Sequence, residues 1–531
     1  MSSLTRLISV ALLLFGVSAT ASIAGTQTQG IIMPDIRLAH EENSSDDAKT
    51  PAQKVAEICG KQPLAGAVVG VYAINLKGDT VAMFNHRQKM VPASNVKLIT
   101  TGLALKELGA DYRFETKLAH SGTIEGGVLK GDLYIVGGGD PTTGARNTFS
   151  DPVATLFGKW LGILKRAGIS KIDGRIIADP RFFDNPNPEN LGWTKDDLGT
   201  NYGVGPTGLN FFENAQNFLI VPASQQGQKP SIKPQYPETP WLQYRVSATT
   251  GAPRSANTIF YVNTRLAPVG EFAGSFPVDR RAYTFEGSNR FGAYTCAHYF
   301  KGYLSSNGIG VSGGAADINS DGMIRLKPGF GDSGVAAEPQ DSLKHLGSSY
   351  SATLSQIVKE TNCESDNFFA ETLLKMVAKK YAKTCNSDDC VDAAELALRN
   401  MGVVADGSCQ LFDGSGLSRK NYISAEYFVK FLKAMALSPQ YEDYLHSLPM
   451  PGGKGTLEYK FVNEPSEFKS RIRMKSGSMN GVRCYSGYIL PSSGNPEETI
   501  IFSLLTNNVI ASSWVVNPSI DAIIKAIAEG N

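Results

Sequence analysis

Apolar residues gather in short runs along this chain, and the spacing inside each run separates strands from helices. Residues 65–75 (AGAVVGVYAIN) are dense in β-branched and small apolar side chains, the mark of a buried strand, and residues 81–84 read as its hairpin partner. Residues 94–108 follow Pro92 with apolar positions at helical spacing. From residue 115 to 340 the texture changes. Short strand-like runs at 131–136, 171–179, 218–221 and 258–262 alternate with Gly, Pro and Asn turns, and 154–167 alone carries a strong helical period. Helical spacing returns at 351–361, 367–383 and 425–436; strand-like runs follow at 471–475, 484–490 and 499–506, and a helix at 517–528 closes the chain. Strands and a helix at the start thus meet matching elements at the end. The pattern predicts one α/β (α+β) domain made of residues 51–114 and 341–531, interrupted over 115–340 by a β-rich insertion of two subdomains that divide near 222–240.

The first residues carry another pattern. Arg6 precedes an apolar run over 7–17, and small residues follow up to Ala24, the order of a secretory signal over residues 1–24 cleaved after Ala21 or Ala24. The run is short for a bilayer span. A polar leader over 25–50 comes next, so the expected mature protein is soluble and periplasmic.

Composition narrows the field further. With 42% hydrophobic and 19% charged residues, the 531-residue chain is that of a folded protein of two to four domains. A net charge of +1 gives no electrostatic pull toward nucleic acid. Export makes disulfides possible for the seven cysteines: Cys385 and Cys390 flank a polar turn that suits a local bridge, and the odd count leaves at least one thiol over. The six histidines show no metal-binding spacing, so no metal or cofactor is called for. The sequence leaves a homodimer open.

Three motifs carry the chemistry. Ser94-Asn95-Val96-Lys97 is an S-x-x-K pattern opening a helix, where residues three apart share a face and the Lys97 amine can reach the Ser94 hydroxyl. Burial would lower the lysine pKa and leave a neutral amine able to act as base. Ser365-Asp366-Asn367 opens the helix at 367 and offers a second hydroxyl and an amide. Lys475-Ser476-Gly477 ends a strand-like run: the lysine supplies a positive charge for a carboxylate, Ser476 a hydroxyl donor, and Gly477 room for a substrate backbone. The next amide, at Ser478, would join that of Ser94 as donors to an oxyanion.

Each motif alone is common, and Ser466-Glu467-Phe468-Lys469 matches S-x-x-K in what reads as a solvated loop. The ordered set in matching contexts resembles the penicillin-recognising serine enzymes. The long stretch between Ser94 and Ser365 is similar to that of the D-alanyl-D-alanine carboxypeptidase/endopeptidase family related to penicillin-binding protein 4 (peptidase family S13). Gly137-Gly138-Gly139-Asp140-Pro141, Gly192-Trp193 with Asp196-Asp197, and Asp413-Gly414-Ser415-Gly416-Leu417-Ser418-Arg419 also look like that family. Ser476 departs from its commoner Thr, and the cysteines are unusual for it.

The resemblance implies a penicillin-binding-protein/serine β-lactamase-like transpeptidase domain acting on peptidoglycan stem peptides and cross-links, with β-lactam antibiotics as covalent inhibitors. It implies Ser94 as the acylated nucleophile, Lys97 as its base, Ser365 as a proton relay and Lys475 as the carboxylate binder, with Asn367, Ser476 and Ser478 lining the substrate. Asp197 and Arg419 would contact the rest of the peptide. A serine β-lactamase is the enzymatic alternative, and a non-catalytic wall-binding protein is the alternative from another class.

Other serine signals fade on inspection. Gly331-Asp332-Ser333-Gly334 resembles a serine-protease motif that needs its histidine far upstream, yet His298 stands only 35 positions before Ser333, and Gly310-Val311-Ser312-Gly313-Gly314 sits in a glycine-rich turn with no following helix. Tyr261-Val262-Asn263 lies in a strand of the insertion.

Overall fold

The two ends of the chain build the sheet that carries the rest. In this computed structural model, which describes residues 49–184, 188–319, 322–382 and 384–530, five strands are central. They are β1 (Val68–Asn75), β2 (Thr80–Phe84), β3 (Ile472–Met479), β4 (Val482–Ile489) and β5 (Ile500–Asn507). They pair antiparallel in the order β2-β1-β5-β4-β3, so β3 is an edge strand. Four helices matter most: α1 (Pro51–Gly60), α2 (Val96–Leu108), α3 (Asn367–Tyr381) and α4 (Ser513–Ala528). Everything described below lies in the unit Thr50–Asn531. The signal at 1–24 and the leader up to residue 48 lie outside the described residues.

β5 is buried at nearly every position because both its faces are covered. Ile500, Phe502 and Leu504 join the cluster that includes Val55 of α1 and Val516, Ile520 and Ile524 of α4. Ile501 and Leu505 join the opposite cluster, with Leu98 and Leu103 of α2 and Phe369 and Leu373 of α3. The helix α2 is interior, buried without a break from Val96 to Leu105. Packing decides its place, since no polar stripe faces water.

The insertion enters through the strand Glu115–His120 and leaves through Lys344–Tyr350, which pair antiparallel from Lys344 opposite His120 to Tyr350 opposite Glu115. Ser351 N donates to Phe114 O at 2.9 Å and closes that neck. Beyond it, a seven-stranded sheet packs with the helices Val153–Arg166 and Gly292–Ser306 around one apolar cluster, and Phe218, Phe272 and Phe285 form a smaller one. Tyr261 is buried in that smaller cluster, which accounts for it as a packing residue.

Several elements differ from the sequence expectation. The run at 171–179 is two short strands, Lys171–Ile172 and Ile176–Asp179. The segment Ser466–Ser470 is a short helix rather than a loop. The helix Gly292–Ser306 escaped the periodicity test because Gly292 to Ala297 are all buried, leaving no polar contrast to read. The helix Ser387–Asn400 was hidden by its acidic start: Asn386 caps it, accepting from Asp389 N at 2.9 Å. That cap also corrects the expected Cys385–Cys390 bridge. The turn between the two cysteines is spent on starting a helix, and Cys390 is a buried free thiol facing Cys385 O at 3.6 Å. Among the described residues no helix is long and apolar enough to cross a membrane.

Candidate active site

Ser94 sits in the single 3-10 turn Ala93–Asn95 that leads into α2. Ala93 takes a left-handed φ of 47°, and its carbonyl is pressed by Gly416, where a Cβ would come to 1.9 Å from Ala93 O. On the other side lies β3: a Cβ on Gly477 would stand 2.6 Å from Pro92 O and 3.0 Å from Asn95 N. The serine turn is thus wedged between two backbone segments that only glycine lets approach. Asn95 adds an anchor, its Nδ2 donating to Ser486 Oγ at 2.8 Å.

At the second residue of α2, three positions after Ser94, Lys97 is fully buried, and its Nζ lies 3.2 Å from Ser94 Oγ. The same nitrogen lies 2.6 Å from Asn367 Oδ1 and 2.7 Å from Ser415 O. A neutral amine has two N–H bonds and one lone pair. When the amine is neutral, the two carbonyl oxygens can accept both of its hydrogens, which leaves the lone pair for the Ser94 hydroxyl. Burial pushes the Lys97 amine down to about 8, against the upward pull of Asp413, Asp366 and Glu371.

Ser365, with a left-handed φ of 60°, accepts from Lys475 Nζ at 2.9 Å, and that amine also donates to Ser476 O at 2.7 Å. Lys475 is fully buried, and burial with the nearby Lys97 charge holds its pKa well below the usual lysine range. Asp366 caps α3 by accepting from Phe369 N at 2.8 Å. Asn367 opens the helix, and its Nδ2 donates to Tyr202 O of the insertion at 3.0 Å, which fixes its oxygen toward Lys97.

The structure therefore brings Ser94, Lys97, Ser365, Asn367 and Lys475 into one hydrogen-bonded cluster, with half-buried Ser476 and exposed Ser478 next along β3. Arg419 stands apart from it, exposed, donating to Asn480 O at 3.0 Å past the end of β3. With Ser478, Arg483, Asn508 and Ile510 it lines a cleft of ≈ 1010 Å³. Asp197 is spent in its own turn, where Oδ2 accepts from Thr194 N and Oγ1 at 3.1 and 2.7 Å.

Four groups that sequence reasoning gave no role also shape the site. Glu371 Oε1 accepts from Gly414 N at 3.1 Å and Ser415 N at 2.7 Å. Asp413 accepts from Gly416 N at 2.8 Å, Ser418 N at 2.6 Å and, across the insertion, Trp193 Nε1 at 2.9 Å. Tyr202 acts through its backbone, for which no sequence signal exists. Glu371 had one: it lies four residues after Asn367, a lone acid within the apolar run FFAETLL.

Comparison with known proteins gives the family and the fold. The model of the D-Ala-D-Ala carboxypeptidase 3 (S13) family matches residues 51–529. The chain is 30% identical over 459 residues to a D-alanyl-D-alanine carboxypeptidase of Actinomadura sp. (84% of this chain, 78% of that one). It is 26% identical over 447 residues to the D-alanyl-D-alanine carboxypeptidase DacB of Haemophilus influenzae (83% and 86%). The crystal structure of penicillin binding protein 4 from H. influenzae superposes with a TM-score of 0.73 at 23% identity, covering 90% of this chain and 98% of that one, which shows a shared fold. The chain belongs to the D-Ala-D-Ala carboxypeptidase 3 (S13) family and is a serine-type carboxypeptidase.

Proposed function

We propose that this enzyme cleaves D-alanyl peptides of peptidoglycan, as carboxypeptidase, endopeptidase or both, through an acyl-enzyme on Ser94. The observation that carries the reading is the contact of Lys97 Nζ with Ser94 Oγ at 3.2 Å inside a buried pocket, by an amine brought down to about 8. Lys97 takes the hydroxyl proton as Ser94 Oγ bonds to the carbonyl carbon of the penultimate D-Ala. The amides of Ser94 and Ser478 receive the negative charge that builds on the carbonyl oxygen. The C–N bond then breaks, and the proton that Lys97 took passes to the leaving amine by way of the Ser365 hydroxyl and Lys475, set 2.9 Å apart, so that Lys97 is neutral again. Water repeats the sequence to free the acyl group from Ser94.

Lys475 gives the carboxylate preference. Its buried amine has two oxygen partners but no counter-charge among them, so a substrate's terminal carboxylate supplies what the cavity lacks. Arg419 and the cleft beyond β3 take the rest of the stem peptide; Asp197, held by Thr194 in its own turn, is not among the residues that line that cleft. Residues 1–24 export the chain to the periplasm, where that substrate lies. A β-lactam carries both a strained amide and a carboxylate, and it inhibits by acylating Ser94 irreversibly on the time scale of turnover.

Labelled penicillin tests this directly. Peptide mapping is expected to place the label on Ser94, and Ser94→Ala is expected to fold with no label. A label mapped to any other residue refutes the assignment. Mass spectrometry of cross-linked muropeptides then separates loss of terminal D-Ala from splitting of the bridges.

A further inference from the structure

The buried carboxyl group of Glu371 has no part in the steps above, yet it touches the machinery at one remove. It lies on α3 one turn beyond Asn367, 5% exposed, with one oxygen accepting both the Gly414 and the Ser415 amides. Ser415 in turn presents its carbonyl to Lys97 Nζ at 2.7 Å, and Thr100 Oγ1 donates to Gly414 O at 2.7 Å. Asn367 and Glu371 therefore control the two acceptors that hold the Lys97 hydrogens: Asn367 directly, Glu371 through the 413–416 turn.

Resting on the reading of Lys97 as base, we propose that Glu371 is a positioning residue that aims the Lys97 lone pair at Ser94 by fixing the Ser415 carbonyl. Two amides converging on one carboxylate oxygen make a rigid clamp, because charge-assisted hydrogen bonds of this kind are short and strong. Without the clamp the turn is free to shift, the Ser415 carbonyl leaves the amine, and the lone pair is no longer confined to the direction of the hydroxyl. Displacements of that order cost heavily when a proton must move along one line.

The same carboxyl also sets the field at Lys97. The ionisable groups around the pair are Asp413 on the neighbouring turn, Asp366 at the start of α3 with Glu213 behind it, Lys375 one turn further along α3, Cys390 on the next helix and Lys475 on β3. Burial, then the Asp413 charge, pushes the Glu371 carboxyl up to about 7. In its ionised form Glu371 raises the Lys97 pKa, one of three acids that oppose burial there.

Two substitutions separate these effects. Glu371→Gln keeps an oxygen for both amides and removes the charge; Glu371→Ala removes both. The measurement is the second-order rate of Ser94 acylation by labelled penicillin from pH 6 to 10, with thermal unfolding alongside. Glu371→Gln is expected to acylate within about tenfold of the parent, with the acid limb moved to lower pH by up to about one unit. Glu371→Ala is expected to lose about 100-fold or more. A folded Glu371→Ala that acylates like the parent, or a Glu371→Gln that loses as much as Glu371→Ala, overturns the proposal. Lys97→Ala, run beside them, is the control on the underlying reading: if it acylates like the parent, Lys97 is not the base at all.

Discussion

A lysine serves as base only while its amine is unprotonated, and in water that requires a pH above about 10. Complete burial of Lys97 brings its pKa down to about 8, so a substantial fraction is neutral near physiological pH. The sign of the pH dependence follows. Below about 8 the amine holds a proton and cannot accept another, so acylation of Ser94 should fall with pH, approaching tenfold per unit on the acid side. Stopped-flow or gel-based labelling across pH 6 to 10 measures that limb. Lys97→Ala should lose several orders of magnitude and the limb with them, because a nucleophile and its base act as one unit. A variant that keeps the limb would hand the base role to another group.

At the scale of elements, the site depends on how tightly β3 runs past the serine turn. Gly477 is the point of closest approach: a Cβ there would press on Pro92 O at 2.6 Å and on Asn95 N at 3.0 Å, both backbone atoms that cannot swing away. Gly477→Ala is expected to cost about 1–3 kcal/mol in stability, as overpacking does, and a larger fraction of activity, at least tenfold in acylation rate. Unfolding midpoints and labelling rates on one preparation check both numbers, and unchanged labelling would mean that the strand has slack the geometry denies. This kind of contact also marks the limit of what sequence tells. The letters S-x-x-K, S-D-N and K-S-G were legible because helix and strand spacing alone fix how their members face one another. The strand-like run that became β5 and the helix over Val96–Leu108 were legible from their apolar content and spacing. Glu371 stood out only as a lone acid in an apolar run, and its role was hidden because its partners at 414 and 415 come from a distant turn; Tyr202 was not legible, because a backbone carbonyl leaves no trace in side-chain chemistry. The helix Gly292–Ser306 disappeared from view for the opposite cause, being buried on too many sides to show a period.

At the scale of the molecule, the insertion is part of the active-site wall. Trp193 Nε1 holds Asp413 at 2.9 Å, Asn190 Nδ2 holds Phe412 O at 2.7 Å, and Lys375 Nζ of α3 reaches back to Pro206 O at 2.9 Å. The turn after Phe412 is thus gripped from two sides, by the insertion at Asp413 and by α3 at Gly414 and Ser415. Two grips on one short turn should not act independently. Trp193→Phe keeps the ring and removes the N–H, leaving Asp413 its backbone donors. Alone it should lower the acylation rate several-fold, and a hydrogen bond to a charged group should cost about 1.5–3 kcal/mol of stability. Combined with Glu371→Ala it should lower the rate by less than the product of the two single effects, with a coupling of about 0.5–1 kcal/mol, no larger than the several-fold effect of Trp193→Phe itself. The reason is that once the Glu371 clamp is lost the Ser415 carbonyl has already left Lys97, and little remains for the loss of the Trp193 bond to disturb. Effects that multiply cleanly in the double variant would show that the insertion and α3 act on the reaction by separate routes, and that the 413–416 turn is not the element joining them.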